Sequence, residues 1–182
     1  PPRFFVQRPT FDNFIDLFDI ASSTGIPLSR YLFNSLVITG LVVLLSIIVS
    51  SMSGYALSKL KFKLKKPLMT INNIALMFVG VSVSIPRYLI IETLGLVDTF
   101  WVHILPGLAV PVGLFLIKQF IDQIPDELIE AAKIDGATEL QIYWKIVMPL
   151  ILPAIATVAI ISFKAVWNNA ESSIIYVNRE SL

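Results

Sequence analysis

Cysteine is absent from the 182-residue sequence, which excludes disulfides, thiolate metal sites and a cysteine nucleophile. A single histidine, His103, excludes a histidine-rich metal site. Charge is scarce: acids and bases together make up 15% of the chain, against about 25% in a soluble domain. The net charge of +1 gives no basic surface for nucleic acid. No G-x-x-x-x-G-K-[ST] phosphate loop occurs, and there are no internal repeats or low-complexity tracts. Apolar residues, by contrast, make up 55% and the mean hydropathy is +0.78. That balance fits a chain solvated by lipid.

The apolar runs predict four membrane spans, at about 31–58, 67–91, 99–121 and 149–168. The first is uncharged from Tyr31 to Ser58, 28 positions, where about 20 apolar residues suffice to cross. Its serines, Gly54 and Ala56 offer small surfaces for close helix contact. Lys59, Lys61, Lys63, Lys65 and Lys66 follow it, and such a cluster after a span marks the cytoplasmic side. Tyr31 is therefore expected outside and Lys59 inside. Pro86 should kink the outer end of the second span, with Arg87 anchoring at the interface. Pro106 and Pro111 should break the regularity of the third. His103 is read as a hydrogen-bonded packing residue, and Trp101 and Trp167 as members of an aromatic belt. Segments 1–30 and 169–182 fall outside, the former with an amphipathic helix suggested by Phe11, Phe14, Ile15 and Phe18. The start at Pro1, without methionine or signal peptide, and the stop just past a span suggest the middle of a longer protein.

Between the third and fourth spans, 122–148 is the longest polar interruption. It reads as two short helices meeting at a glycine. Pro125, Asp126 and Glu127 suit a first turn, and Gly136 can take the left-handed conformation that ends a helix. Thr138 with Gln141 forms a capping box for the second helix, and Pro149 then kinks or stops it.

Glu130-Ala131-Ala132, Asp135-Gly136-Ala137, Ile146 and Pro149 resemble the cytoplasmic EAA loop of ABC importer permease subunits. Tyr143 stands where phenylalanine is commoner, and Met148 where leucine is. Asn34-Ser35, Gly54-Tyr55-Ala56-Leu57, Leu94 to Thr99, and Phe163 with Trp167-Asn168 are similar to the carbohydrate class. The resemblance spans nearly residues 10–182. It implies an all-α polytopic membrane bundle, of which four spans of a six-span core are present, with a cytoplasmic helix–Gly–helix coupling loop. It further implies a bacterial-type inner membrane location and a non-enzymatic chain without a cofactor of its own. ATP and magnesium would be bound by a partner ATPase dimer. Further implied partners are a second, non-identical permease and an extracytoplasmic solute-binding protein, the latter touching 170–182 and part of 1–30.

On that resemblance the ATPase-coupling residues are Leu128, Ile129, Glu130, Ala131, Ala132, Asp135, Gly136 and Ala137. Leu128, Ile129 and Ala132 are expected to fill a partner pocket, Glu130 to pair with a partner arginine, and Asp135 either to cap the turn or to touch the partner. Intramembrane ionisable groups mark functional sites by default. Lys164 shares a helix face with Trp167 and Asn168, a combination suited to receiving a sugar, or alternatively a cation that snorkels outward. The transported solute is expected to be a sugar or oligosaccharide, with an amino acid or phosphate as the alternative. A membrane-embedded enzyme would need clustered His, Asp or Ser groups at matching depth, and a single histidine with so few intramembrane acids argues against it. A scaffold that moves no solute is the remaining class.

Overall fold

A computed structural model describes residues 28–78, 80–169 and 171–177. The chain forms two compact units, Pro1–Val37 and Ile38–Leu182. Of the first, only the opening turns of helix α1 (Leu28–Lys59) are described. The amphipathic helix expected around Phe11 to Phe18 lies outside the described residues. All regular structure among the described residues is helical.

Helix α1 is the one described helix that is long and apolar enough to cross a membrane by itself. The region expected as the second span is broken into α2 (Lys65–Ala75), a 3-10 turn (Gly80–Val83) and α3 (Ser84–Thr93). The break lies before Pro86, which sits in the first turn of α3, and not at the outer end as the sequence suggested. A proline ring clashes with the carbonyl four residues earlier, here Ser82 in the 3-10 turn, which keeps that turn from running on as α-helix; the end of α2 at Ala75 lies beyond its reach. Gly80 and the β-branched Val81 and Val83 add no helix propensity to resist it.

Helices α4 (Trp101–Leu108) and α5 (Pro111–Asp122) meet at 40°, the break falling just before Pro111. Helix α6 (Asp126–Ile134) follows, then α7 (Glu139–Leu150) and α8 (Leu152–Trp167), which meet at 79°. Counting each bent pair as one span gives up to three crossings by length and composition. A short α9 (Glu171–Tyr176) completes the described chain.

The main core gathers where α1, α5, α6, α7 and α8 converge. Ile117, Ile121, Ile142, Val147, Ile151, Ala154 and Val158 are fully buried there. Gly54 lets α1 approach α5: an added Cβ would stand 3.0 Å from the Ile117 side chain. A second, smaller core joins Ile91, Val102 and Tyr176, with the Tyr88 and Tyr176 rings stacked at 6.1 Å.

Candidate functional site: the elbow at Gly136

Helix α6 starts one residue later than a first-position proline would give, because Pro125 adopts the extended N-cap conformation (ψ 136°). Asp126 and Glu127 occupy the first turn and Lys133 the last, each matching the helix dipole. Gly136 has φ +81°, a conformation that costs an L-residue about 1–2 kcal/mol. The Ala137 amide donates to the Ala132 carbonyl at 2.9 Å across this reversal. Thr138 then starts α7 with a complete capping box: its Oγ1 accepts from the Gln141 amide, and its own amide donates to Gln141 Oε1 at 2.9 Å.

At about 100° per residue, Ile129 and Ala132 of α6 fall on one side while Glu127, Ala131 and Ile134 fall on the other. Ile129 is 5% exposed and Ala132 packs beside it against the main core. The expectation that Ile129 would enter a partner pocket is thereby corrected, since it holds the elbow onto its own chain, while Ala132 stays partly exposed. The outward apolar side chains are instead Leu128, Ile134, Leu140 and Trp144, the last three of which bear no part of the recognised motif beyond adjacency. Ile134 is 86% exposed. Glu130, Ala131, Asp135 and Gly136 are also exposed, and Ala137 packs partly against the core. Asp135 closes the C-terminus of α6, while the cap of α7 is Thr138.

A set of polar contacts fixes the elbow to α1. Lys59 Nζ reaches Asp126 Oδ1 and the Ile124 carbonyl, both at 2.6 Å, and its side chain is only 8% exposed. Ser58 donates to Asp122, which also pairs with Lys118. Tyr55 donates to Glu139 Oε2 at 2.5 Å, and Lys133 meets Glu139 Oε1 at 2.6 Å. Glu139 thus bridges α6, α7 and α1. The Lys133 and Tyr55 donors hold its carboxyl below the usual glutamate value. The Lys59 ammonium does the same for Asp126.

Tyr143 is 2% exposed, shares a 2.7 Å hydrogen bond with Ser51 Oγ, and packs its ring 5.8 Å from Tyr55. It opens a π-helical stretch, Tyr143–Val147, inside α7. Such wide turns often mark functional segments. The motif supplied Tyr143 to the sequence reading, but neither the π stretch nor the Glu139 bridge. Tyr55 within Gly54-Tyr55-Ala56-Leu57 was the available signal for the bridge.

At the other candidate site, Lys164 is exposed on α8. Trp167 stacks on Phe163, with centroids 5.5 Å apart and planes at 11°. The Asn168 side-chain amide donates to the Lys164 carbonyl at 3.0 Å and so closes the helix end. His103 Nδ1 lies 3.2 Å from Ser172 Oγ. Among the described residues, no group of three or more His, Asp or Glu is arranged to hold a metal.

Residues 43–175 match the family described as "Binding-protein-dependent transport system inner membrane component". The chain is 35% identical over 176 residues to the polygalacturonan/rhamnogalacturonan transport system permease protein YtcP of Bacillus subtilis (strain 168), covering 97% of this chain and 60% of that one. It is 36% identical over 160 residues to the arabinooligosaccharides transport system permease protein AraQ of Halalkalibacterium halodurans, covering 88% and 56%. A crystal structure of a bacterial ABC transporter involved in the import of the acidic polysaccharide alginate aligns with TM-score 0.69 at 27% identity, over 81% of this chain and 54% of that one. The chain therefore spans a little over half the length of these relatives.

Proposed function

We infer the function from a family membership that is plain: the chain belongs to the binding-protein-dependent transport system inner membrane components. We propose that it is the permease subunit of an ATP-driven importer, forming part of the pathway for a sugar or oligosaccharide delivered by an extracytoplasmic binding protein. The relatives' substrates, polygalacturonan, arabinooligosaccharides and alginate, support the carbohydrate assignment. An amino-acid or phosphate importer is the alternative.

The observation that carries the proposal is the elbow. Its apolar side chains Leu128, Ile134, Leu140 and Trp144 stand exposed next to Glu127 and Glu130, while its inner face is fastened to α1 and α8. Such a surface suits the cleft of a separate ATPase dimer carrying ATP and magnesium. ATP-driven closure of that partner pushes the elbow, and the brace through Glu139, Tyr55 and Lys59 passes the push to α1. The spans then exchange between two packings whose balance nucleotide and loaded binding protein shift together. In this scheme residues 65–93 cross as a broken span, giving four crossings. The lysine-rich end of α1 and the elbow face the cytoplasm, and a second permease, non-identical, completes the pathway. Lys164, Trp167 and Asn168 remain the proposed substrate-side group, with Phe163 added through its stack on Trp167.

The test is uptake by the assembled importer in vesicles, comparing labelled oligosaccharides with amino acids and phosphate. Sugar uptake that requires ATP supports the proposal. Uptake of amino acid or phosphate alone selects the alternative, and no uptake with no associated ATPase leaves a scaffold.

A further inference from the structure

Beside α1 lies a groove of about 390 Å³ with no role in the coupling scheme. Its walls include Ala56 and Leu57 of α1, Phe62 of the connection, Leu68 and Ile71 of α2, and Leu114 of α5. Two polar side chains border it, Ser53 and Asn72. Asn72 is 8% exposed and its amide donates to the Pro111 carbonyl at 3.3 Å, so it has little to offer an incoming ligand. A wall of this kind suits hydrocarbon.

The groove borders the lysine-bearing segment 59–66 at Phe62 and Leu68. Phe62, which lines it, stands between Lys61 and Lys63, and Lys66 lies two residues before Leu68 in the first turn of α2. Of the five lysines at 59–66, Lys59 is held by Asp126 and the Ile124 carbonyl, and Lys65 by the Ser58 carbonyl at 2.8 Å. Lys61, Lys63 and Lys66 are exposed and make no salt bridge among the described residues, although Asp126 feels the charge of Lys61. Asp122 is matched by Lys118. Phe62 and Leu64 alternate with these lysines and are 40% and 62% exposed. The pattern is that of a membrane-interface segment, apolar side chains reaching into acyl chains while ammonium groups stay at headgroup level.

We propose that this groove binds an anionic phospholipid, one acyl chain lying along α1 and α2 and the phosphate held by Lys61, Lys63 and Lys66. Charge complementarity selects the occupant: an apolar trough adjoining a segment that carries Lys61, Lys63 and Lys66 matches an anionic lipid of the same leaflet. The inference rests on the membrane location of the family but not on the identity of the transported solute.

The experiment uses the full-length permease in its assembled complex, purified and delipidated, then titrated with phosphatidylglycerol or phosphatidylcholine and read by native mass spectrometry. Phosphatidylglycerol should be retained in preference to phosphatidylcholine. Each lysine near an anionic lipid contributes on the order of fivefold in affinity, so K61Q/K63Q/K66Q should weaken phosphatidylglycerol binding about a hundredfold. K61R/K63R/K66R should retain it, and co-elution with the ATPase reports correct insertion of both variants. Ala75→Trp, which fills the groove with the lysines intact, should also lose the lipid. Equal retention of the two lipids overturns the proposal, as does undiminished binding in Ala75→Trp. So does a cross-link from Ile71→Cys to another subunit, which would show protein in the groove. Lipid counts and solute uptake are separate readings, so either proposal can fail alone.

Discussion

The two ends of the 38–177 region are built differently. At the elbow end, five helices share one fully buried core, overlaid with the Lys59–Asp126, Lys133–Glu139 and Tyr55–Glu139 contacts. At the far end, short helices α3, α4 and α9 meet around Ile91, Val102 and Tyr176, beside an open cleft of about 430 Å³ lined in part by Pro86, Arg87 and Leu105. Dense packing resists small deformations and passes displacement on. Sparse local contact permits rearrangement. In the proposed scheme a lever needs the first property where it is pushed and the second where the pathway opens.

The largest expected effect tests that contrast directly. Tyr143→Ala removes a 2%-exposed ring and its hydrogen bond with Ser51, whose hydroxyl still donates to the Ile47 carbonyl, and should lower stability by about 3–5 kcal/mol. Tyr88→Ala removes a half-buried ring from the smaller core and should cost roughly half as much or less. Denaturant unfolding of the purified protein measures both. Equal losses would erase the distinction between the two ends.

Glu130→Ala sharpens it from the other side. Glu130 is exposed and has no partner within the chain among the described residues, so stability should change by no more than about 0.5 kcal/mol. Binding of the ATPase, if Glu130 pairs with an arginine there, should weaken by about 2–5 kcal/mol. Loss of fold with affinity unchanged would reassign Glu130 to an internal role. Gly136→Ala comes next. Nothing lies within 4 Å of the added Cβ, so the cost is backbone alone, about 1–2 kcal/mol. Gly136→Asn, which tolerates positive φ better, should recover part of it in the same unfolding assay.

Much of this arrangement was legible in the sequence, for local reasons. Gly136, the Thr138–Gln141 box and the acidic first turn of α6 are each decided by residues close in sequence, and all three appear as read. The break before Pro111 is equally local. The interruption between Ala75 and Gly80 was not legible in span 67–91, because hydropathy counts apolar residues without regard to the backbone. Ile129 misled because a short apolar run in a polar loop has two candidate partners, the chain itself and another protein. Only the position of α6 against the core decides between them. The Glu139 bridge joins residues 84 positions apart, a pairing that no spacing rule reaches.

The smallest expected effect is the pH response of that bridge. Glu139 carries a carboxyl pKa lowered from 4.5 by the Lys133 and Tyr55 donors. The folded state therefore resists protonation more than the unfolded chain does. Its stabilisation is complete above the ordinary value and fades as pH falls through the depressed one. Both partners of the ion pair are nearly half exposed, 45% and 47%, so water and salt screen it. The pH-dependent part should amount to a few tenths of a kcal/mol. Glu139→Gln should flatten this acid limb while keeping the side chain's shape, and Tyr55→Phe should flatten it partially. Comparing the three unfolding profiles between pH 7 and the acid limit separates the bridge from the Lys59–Asp126 pair, whose depressed carboxyl gives a response of the same sign. If Glu139→Gln leaves the limb unchanged, the acid sensitivity belongs to the other depressed carboxyls, Asp126 and Asp122, which are fastened to α1 through Lys59 and Ser58.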